Sequence, residues 1–324
     1  MTAQEKVPRI RLGRSDLLQL PLGMGGSYYG LDPGQGEPGL RAALTTALEH
    51  GVTHFDTATD YGDGQSERLL GRFLAAKPAR RTQVFLASKA NPDEPSAHSV
   101  VRAIEASLRR LQTDVIDLYY LHWPRSGLDL RPWMEGLETA RQRGLIRATG
   151  VSNFSVAQMK TLGEAGQIDV CQVGYNLLWR FAERELLPYC TGKGIQVVAY
   201  SALAHGILSG RYPRQLEFAP GDQRWGITLF RPDVWPQVHR AVESFVDLAG
   251  QGGFPLATLA LRWVLRQPAI HSVLVSAPTE QMVMSNLRAL VVDIPGHLLD
   301  ELGDLSEKAM QHVPAEGNPF GYHP

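Results

Sequence analysis

The chain has 324 residues, 44% of them hydrophobic and 20% charged, with a formal net charge of -1 at pH 7. That balance predicts no nucleic acid or other polyanion as a partner and no acidic tail. The opening MTAQEKVPRIRLGRSD lacks an apolar core behind a basic start, and no later run approaches the roughly 18 apolar residues of a membrane span, so no membrane partner is expected and the compartment is read as the cytoplasm. Cys171 and Cys190 are the only cysteines. They are too few for a disulfide framework and are not spaced as metal ligands, so both read as packing residues in a reducing compartment. His50 and His54 have the four-residue spacing that can put two ligands on one helical face. Gly51 ends the helix between them, and no His-x-His occurs, so no metal is expected.

The elements follow in order. RIRLGRSDLLQLPLG (9–23) has two apolar segments around Gly13-Arg14 and reads as an amino-terminal hairpin. Strand-like and helix-like runs then alternate. LPLGMGG precedes PGLRAALTTALEHG, THFDTA precedes SERLLGRFLAA, and QVFLASK precedes HSVVRAIEASLRRLQ, where Val101, Ile104, Leu108 and Leu111 share one stripe. VIDLYYLH, IRATGVSN, CQVGYN, QVVAYSAL and SVLVSA are the later strands, with RPWMEGLETARQRG, VAQMKTLGEAG, ERELLPYCTGKG and TEQMVMSNLRAL among the later helices. Short apolar strands separated by helices imply parallel pairing, since a parallel crossover needs about a dozen residues or more. Eight such units predict an α/β fold of the closed (β/α)8 TIM-barrel type, as one domain over residues 1–324. An open doubly wound sheet is the rival, but its Gly-x-Gly-x-x-Gly turn is missing from the first unit. The stretch from Ala204 to Trp235, after strand 7, is too long for an ordinary barrel loop and is read as an ordered insertion covering the mouth. HLLDELGDLSEKAMQHV is an extra carboxyl-terminal helix, followed by the aromatic tail NPFGYHP.

Chemistry in such a barrel sits at the carboxyl ends of the strands. Asp56, Lys89, His122 and Asn153 end the second to fifth strands, and Tyr200 lies near the end of the seventh. A lysine at such a site is costly to bury without a partner, and Asp56 is the obvious one. Asp56 to Tyr61 in FDTATDYG, the lysine ending LASK and the histidine of LYYLHWP make the pattern specific. With GVTHFDTATDYG, RLQTDVIDLYYLHWP, GLIRATGVSNF, CQVGYN and YSALAHGILSG in matching order over nearly the whole length, the chain resembles the aldo-keto reductases.

The resemblance implies reversible hydride transfer between a nicotinamide coenzyme, NADP(H) or NAD(H), and a small carbonyl compound or its alcohol. Tyr61 then corresponds to the general acid and base, Lys89 to the cation that tunes it, Asp56 to the holder of Lys89, and His122 to the group that positions the carbonyl oxygen. Asp60 reads as a turn residue. Ser152, Asn153 and Gln172 match the positions that hold the carboxamide, and Tyr200 matches the ring stacked on nicotinamide. Ser201, Leu203 and Gly206 correspond to backbone near the pyrophosphate, and Asn286 to the adenine contact. Where relatives carry basic residues for the 2′-phosphate of NADPH, this chain has Ser276, Pro278 and Met282. A phosphate there lacks charge-assisted bonds, which favours NAD or relaxed choice unless Arg211 or Arg224 of the long loop replaces them. Tyr28, Tyr29, Trp123, Trp225 and Phe230 are candidates for a substrate wall. Two rival functions are an NAD-dependent aldose dehydrogenase and, with less support, a dinucleotide-binding regulatory subunit. The sequence leaves the physiological substrate and oligomeric state open.

Overall fold

The computed structural model describes residues 7–27, 29 and 36–320. Eight parallel strands pair in chain order and close, the eighth on the first. They are β1 (Leu22–Gly25), β2 (His54–Asp56), β3 (Phe85–Ala90), β4 (Ile116–Leu121), β5 (Ile146–Ser152), β6 (Val170–Gly174), β7 (Gln196–Tyr200) and β8 (Ser272–Val275). Around them run α1 (Gly36–Glu49), α2 (Gln65–Ala75), α3 (Ala97–Leu111), α4 (Arg131–Gln142), α5 (Val156–Leu162), α6 (Leu186–Lys193), α7 (Trp235–Gly252), α8 (Leu256–Leu265), α9 (Glu280–Val291) and α10 (Gly296–Met310). This is the expected (β/α)8 barrel with its extra carboxyl-terminal helix. The sequence pattern does not place α7 and α8, which both lie between β7 and β8.

Local chemistry sets the helix starts. Ser96 accepts from the Ser99 amide before α3, and Thr279 accepts from the Met282 amide before α9. Ser155 and Gln158 exchange hydrogen bonds in a capping box before α5. Each cap ends a βα loop, so the caps also fix the path of the chain across the barrel mouth.

The predicted hairpin is reduced to one antiparallel bridge, in which Ile10 and Gln19 exchange backbone bonds of 2.8 and 2.9 Å. It carries Leu12 into the barrel foot, where Leu12 packs with Phe85, Leu118, Val170 and Leu274. The filling at the foot is mostly apolar, with the buried His54 ring set edge-on against Phe85 at 5.1 Å. Lys89, Tyr120 and Gly150 stand side by side in register on β3, β4 and β5. A Cβ on Gly150 would lie 2.4 Å from Tyr120 Cδ1, so glycine makes the room for that ring.

The long stretch after β7 is held by its own aromatic cluster. Tyr212, Phe218, Phe230 and Trp235 meet at centroid distances of 5.1 to 6.1 Å, and Trp235 Nε1 donates to the Arg214 carbonyl at 2.9 Å. Phe230 is fully buried and belongs to this packing. Among the described residues no helix is long and apolar enough to cross a membrane.

Candidate active site

The centre of the mouth is a buried ion pair. The Lys89 ammonium donates to Asp56 Oδ1 and, at 3.0 Å, to the Thr57 carbonyl. Gln172 Nε2 donates to the other Asp56 oxygen at 2.9 Å. Lys89 has no exposed surface and Asp56 almost none, so neither charge is stable without the other. Burial works against the ammonium, but the charges of Asp56 and then Tyr61 outweigh it and leave the Lys89 pKa raised. The lysine is therefore a fixed cation at every physiological pH.

Tyr61 stands over this pair, with Lys89 Nζ 5.1 Å from its ring centroid. Burial raises the phenol above its usual pKa, the charge of Lys89 lowers it, and the balance remains upward. At neutral pH the group keeps its proton and can give it away. The His122 ring lies edge-on to Tyr61 at 5.9 Å and beside Trp123 at 5.6 Å. Its Nδ1 is 3.1 Å from Asp60 Oδ2, the oxygen that also accepts from Asn91 Nδ2 at 2.6 Å. Burial lowers the His122 pKa and the hydrogen bond to Asp60 opposes that, with a net shift downward.

A second group of predicted residues surrounds the first. Asn153 adopts the left-handed conformation, φ 68°, directly after β5. Its Nδ2 donates to the His122 carbonyl at 3.2 Å and to Ser152 Oγ at 3.1 Å, and its Oδ1 accepts from Tyr200 Oη at 2.6 Å. Ser201, Ala204, His205 and Gly206 also have positive φ. Such backbone costs about 1–3 kcal/mol per non-glycine residue and gathers at ligand clamps. Burial lowers the His205 pKa to about 4, so its ring, 3.1 Å from Ser201 Oγ through Nε2, is neutral. Asn286, on α9, is buried with its Nδ2 lacking a partner among the described residues. An orphaned amide of this kind fits a ligand acceptor. Met282, one turn earlier, is 43% exposed.

Thus the structure brings together Asp56, Tyr61, Lys89, His122, Trp123, Ser152, Asn153, Gln172 and Tyr200. Tyr29 is buried, and burial with the charge of Asp56 raises its phenol pKa. Tyr28 lies outside the described residues. Trp225 packs edge-on against Phe218 at 5.0 Å, in the aromatic cluster of the insertion. Arg224 is held by both oxygens of Asp222, at 2.9 and 2.6 Å, and lies 4.0 Å over the Phe218 ring. Its charge is thereby satisfied within the loop, while Arg211 is exposed.

Three site features escape sequence reasoning. Asp60, which reads as a turn residue, meets the His122 ring, and Asn91, which carries no sequence signal, donates to Asp60. The third is the tail: Phe320 is nearly parallel to Tyr200 at 6.2 Å and edge-on to Trp123 at 5.9 Å and His205 at 5.1 Å. The neighbouring Pro319 carbonyl accepts from the Thr228 amide at 3.0 Å, tying the tail to the insertion. An aromatic so near the end of the chain is the only signal in the sequence.

A sequence model described as the Aldo/keto reductase family matches residues 21–304. The chain is 29% identical to an NADH-specific methylglyoxal reductase of Escherichia coli over 93% of its own length and 99% of that protein's. Among solved structures, it resembles the glycerol dehydrogenase AKR11B4 of Gluconobacter oxydans with a TM-score of 0.82 and 28% identity, covering 98% of this chain and 99% of that one. An aldo/keto reductase of Klebsiella pneumoniae in complex with NADP and acetate is also similar, with a TM-score of 0.75, 30% identity and coverage of 97% and 98%. A family match across most of the barrel, joined to whole-length likeness in sequence and fold, makes this chain a member of the aldo/keto reductase family of oxidoreductases.

Proposed function

We propose that the chain is one barrel domain over residues 1–324 that reduces an aldehyde or ketone in the cytoplasm, with Tyr61 as the proton donor and NAD(H) or NADP(H) as the hydride carrier. The observation that carries the reading is the buried Lys89–Asp56 pair beneath the Tyr61 ring, with His122 beside it. When bound, the coenzyme supplies a hydride to the carbonyl carbon or takes one from the alcohol carbon. In reduction Tyr61 gives its proton to the carbonyl oxygen, and Lys89 stabilises the phenolate left behind. Asp56, held in turn by Gln172, keeps Lys89 charged and pointed at the phenol. Asn153, Ser152 and Gln172 would hold the carboxamide, Tyr200 the nicotinamide face, and Asn286 the adenine. The backbone of Ser201, Leu203 and Gly206 would meet the pyrophosphate. The insertion 204–235, tied to the tail through Thr228, would cover the bound molecules, with Trp123 in the substrate wall.

The test is a coenzyme titration by tryptophan fluorescence, followed by reduction of small aldehydes with the coenzyme that binds. Failure of all four nicotinamide forms to bind would end the proposal. The exposed Met282 and the absence of a cation at Ser276 and Pro278 support NAD(H) as coenzyme, so that NADH is expected to bind at least as well as NADPH. Met282→Arg is expected to strengthen NADPH binding about tenfold, and that gain should shrink as salt rises, because it rests on a surface charge. An equal gain for NADH would mean that the arginine does not meet a 2′-phosphate. A chain that uses NAD also suits alcohol oxidation, and an aldose dehydrogenase is the second reading for this reason.

Phe320 lies along the Tyr200 ring, which this proposal gives to nicotinamide. The tail must shift for the coenzyme ring to seat. Phe320→Ala is expected to tighten coenzyme binding about threefold or more, roughly the 0.5–1.5 kcal/mol of one aromatic pair. Weaker binding in the same titration would instead make Phe320 a part of the coenzyme-bound wall.

A further inference from the structure

Asp60 is the residue of this mouth with the least expected position. An aspartate in a turn ordinarily bonds the backbone nearby. The three hydrogen bonds found on this carboxylate run to side chains: Thr59 Oγ1 at 3.0 Å, Asn91 Nδ2 at 2.6 Å and His122 Nδ1 at 3.1 Å. Two of the three come from other strand ends, after β3 and β4, so the side chain bridges loops that meet at the mouth. Asp60 itself is half-exposed, whereas His122 is buried.

A carboxylate can only accept. Nδ1 of His122 must therefore carry the hydrogen, which leaves Nε2 as the nitrogen free for a ligand. The neutral ring then offers Nε2 as an acceptor, suited to an alcohol hydroxyl. The protonated ring offers Nε2–H as a donor, suited to a carbonyl oxygen.

Resting on the role at the substrate oxygen that the aldo-keto reductase resemblance implies for His122, we propose that Asp60 is a positioning residue: it fixes the Nδ1–H form of His122 and supplies the counter-charge for the imidazolium that binds the carbonyl. Reduction then draws on the protonated ring and oxidation on the neutral one, so one carboxylate links the direction of the reaction to pH. The titratable groups that face the ring are Asp60 from the β2–α2 loop, Asp56 from β2, Lys89 from β3 and the Tyr61 phenol, edge-on to it at 5.9 Å. Asp60 and Asp56 favour the imidazolium, while burial and Lys89 disfavour it. Asn91, through its bond to the same Asp60 oxygen, steadies the carboxylate.

The first measurement is the nitrogen-15 NMR spectrum of imidazole-labelled protein, assigned with a His122→Gln variant. The neutral ring of His122 is expected in the Nδ1–H form, and Asp60→Ala should lose that preference. An Nε2–H form in the unaltered protein would overturn the proposal, and so would an unchanged tautomer in Asp60→Ala. The second is the pH profile of kcat/KM for reduction. With Asp60→Ala the ring loses an opposing charge, and its apparent pKa should fall by about one unit or more. Reduction at pH 7 then falls about tenfold, and oxidation less. Asp60→Glu should restore much of the profile, which a merely structural turn residue would not do. A profile that does not move in Asp60→Ala rejects the inference, while the proposed function stands or falls separately on Tyr61→Phe.

Discussion

Tyr61→Phe is expected to lower kcat for carbonyl reduction by about a hundred- to ten-thousandfold, the usual contribution of a positioned acid. The variant deletes one hydroxyl and keeps the ring, so the edge contact with His122 and the place over Lys89 remain. Coenzyme titration should therefore give a dissociation constant within about twofold of the unaltered protein, below the roughly 1.4 kcal/mol of a tenfold change. The two readouts separate loss of chemistry from loss of folding. The direction of the reaction sharpens the expectation. Because burial raises the phenol pKa despite Lys89, Tyr61 is protonated across the neutral range and ready to act as an acid. Alcohol oxidation needs the phenolate instead, and its rate should climb with pH toward and beyond the ordinary tyrosine value of about 10. Reduction by Tyr61→Phe at the unaltered rate would remove Tyr61 from the chemistry and leave His122 as the acid to examine. A flat oxidation profile between about pH 7 and the ordinary tyrosine value would do the same for the base role.

The strand ends make the barrel and its centre readable. A parallel closed sheet points all its carboxyl ends to one mouth, so Asp56, Lys89, His122 and Asn153 can be gathered from order alone. The region after β7 is harder for a physical reason. LATLALRWVL in α8 is apolar on nearly all sides and buried between neighbours, so it lacks the polar face that marks a surface helix. In α7 the start has no side-chain cap and the aromatic run before it reads as loop. The left-handed loop residues are a different case. Ser201 and Ala204 are not residue types that favour positive φ as glycine does, so only the packing around them can impose it. Asp60 does lie in a turn, as it reads, but a turn aspartate bonded locally and one aimed across the mouth look the same in the sequence. What separates them is the position of His122, 62 residues away. The placement of Phe320 is likewise a long-range fact, set by the Pro319–Thr228 bond and not by any local pattern.

Asp56→Asn is expected to cost about 3–5 kcal/mol of stability together with most of the activity, because it strands a buried lysine. The introduced amide is the same size as the carboxylate and its oxygen can still accept from Gln172, so the loss is one of charge, not of shape. In the unaltered protein the raised Lys89 pKa makes the pair stabilising up to the pKa of an unfolded lysine, and that contribution is lost only as pH rises through the folded value. Without Asp56, burial is the leading influence and drives the Lys89 pKa down. The unfolded chain then binds a proton that the folded chain does not, so stability of Asp56→Asn should increase as pH rises toward about 10, a range in which the contribution of the pair in the parent is constant. Adding Lys89→Met removes the stranded charge while keeping a similar side-chain length. The double variant should recover most of the lost stability and none of the activity, since buried pairs are often replaced by apolar groups without loss. Urea unfolding across pH, with reductase assays on the same samples, distinguishes the two effects. If Asp56→Asn unfolds at the parent's denaturant midpoint, the pair is not holding a buried charge. If the double variant stays as unstable as the single one, the cost lies in the shape of the pocket. Recovery of folding without turnover would show that this barrel keeps Asp56 and Lys89 for the phenol above them and not for its own cohesion.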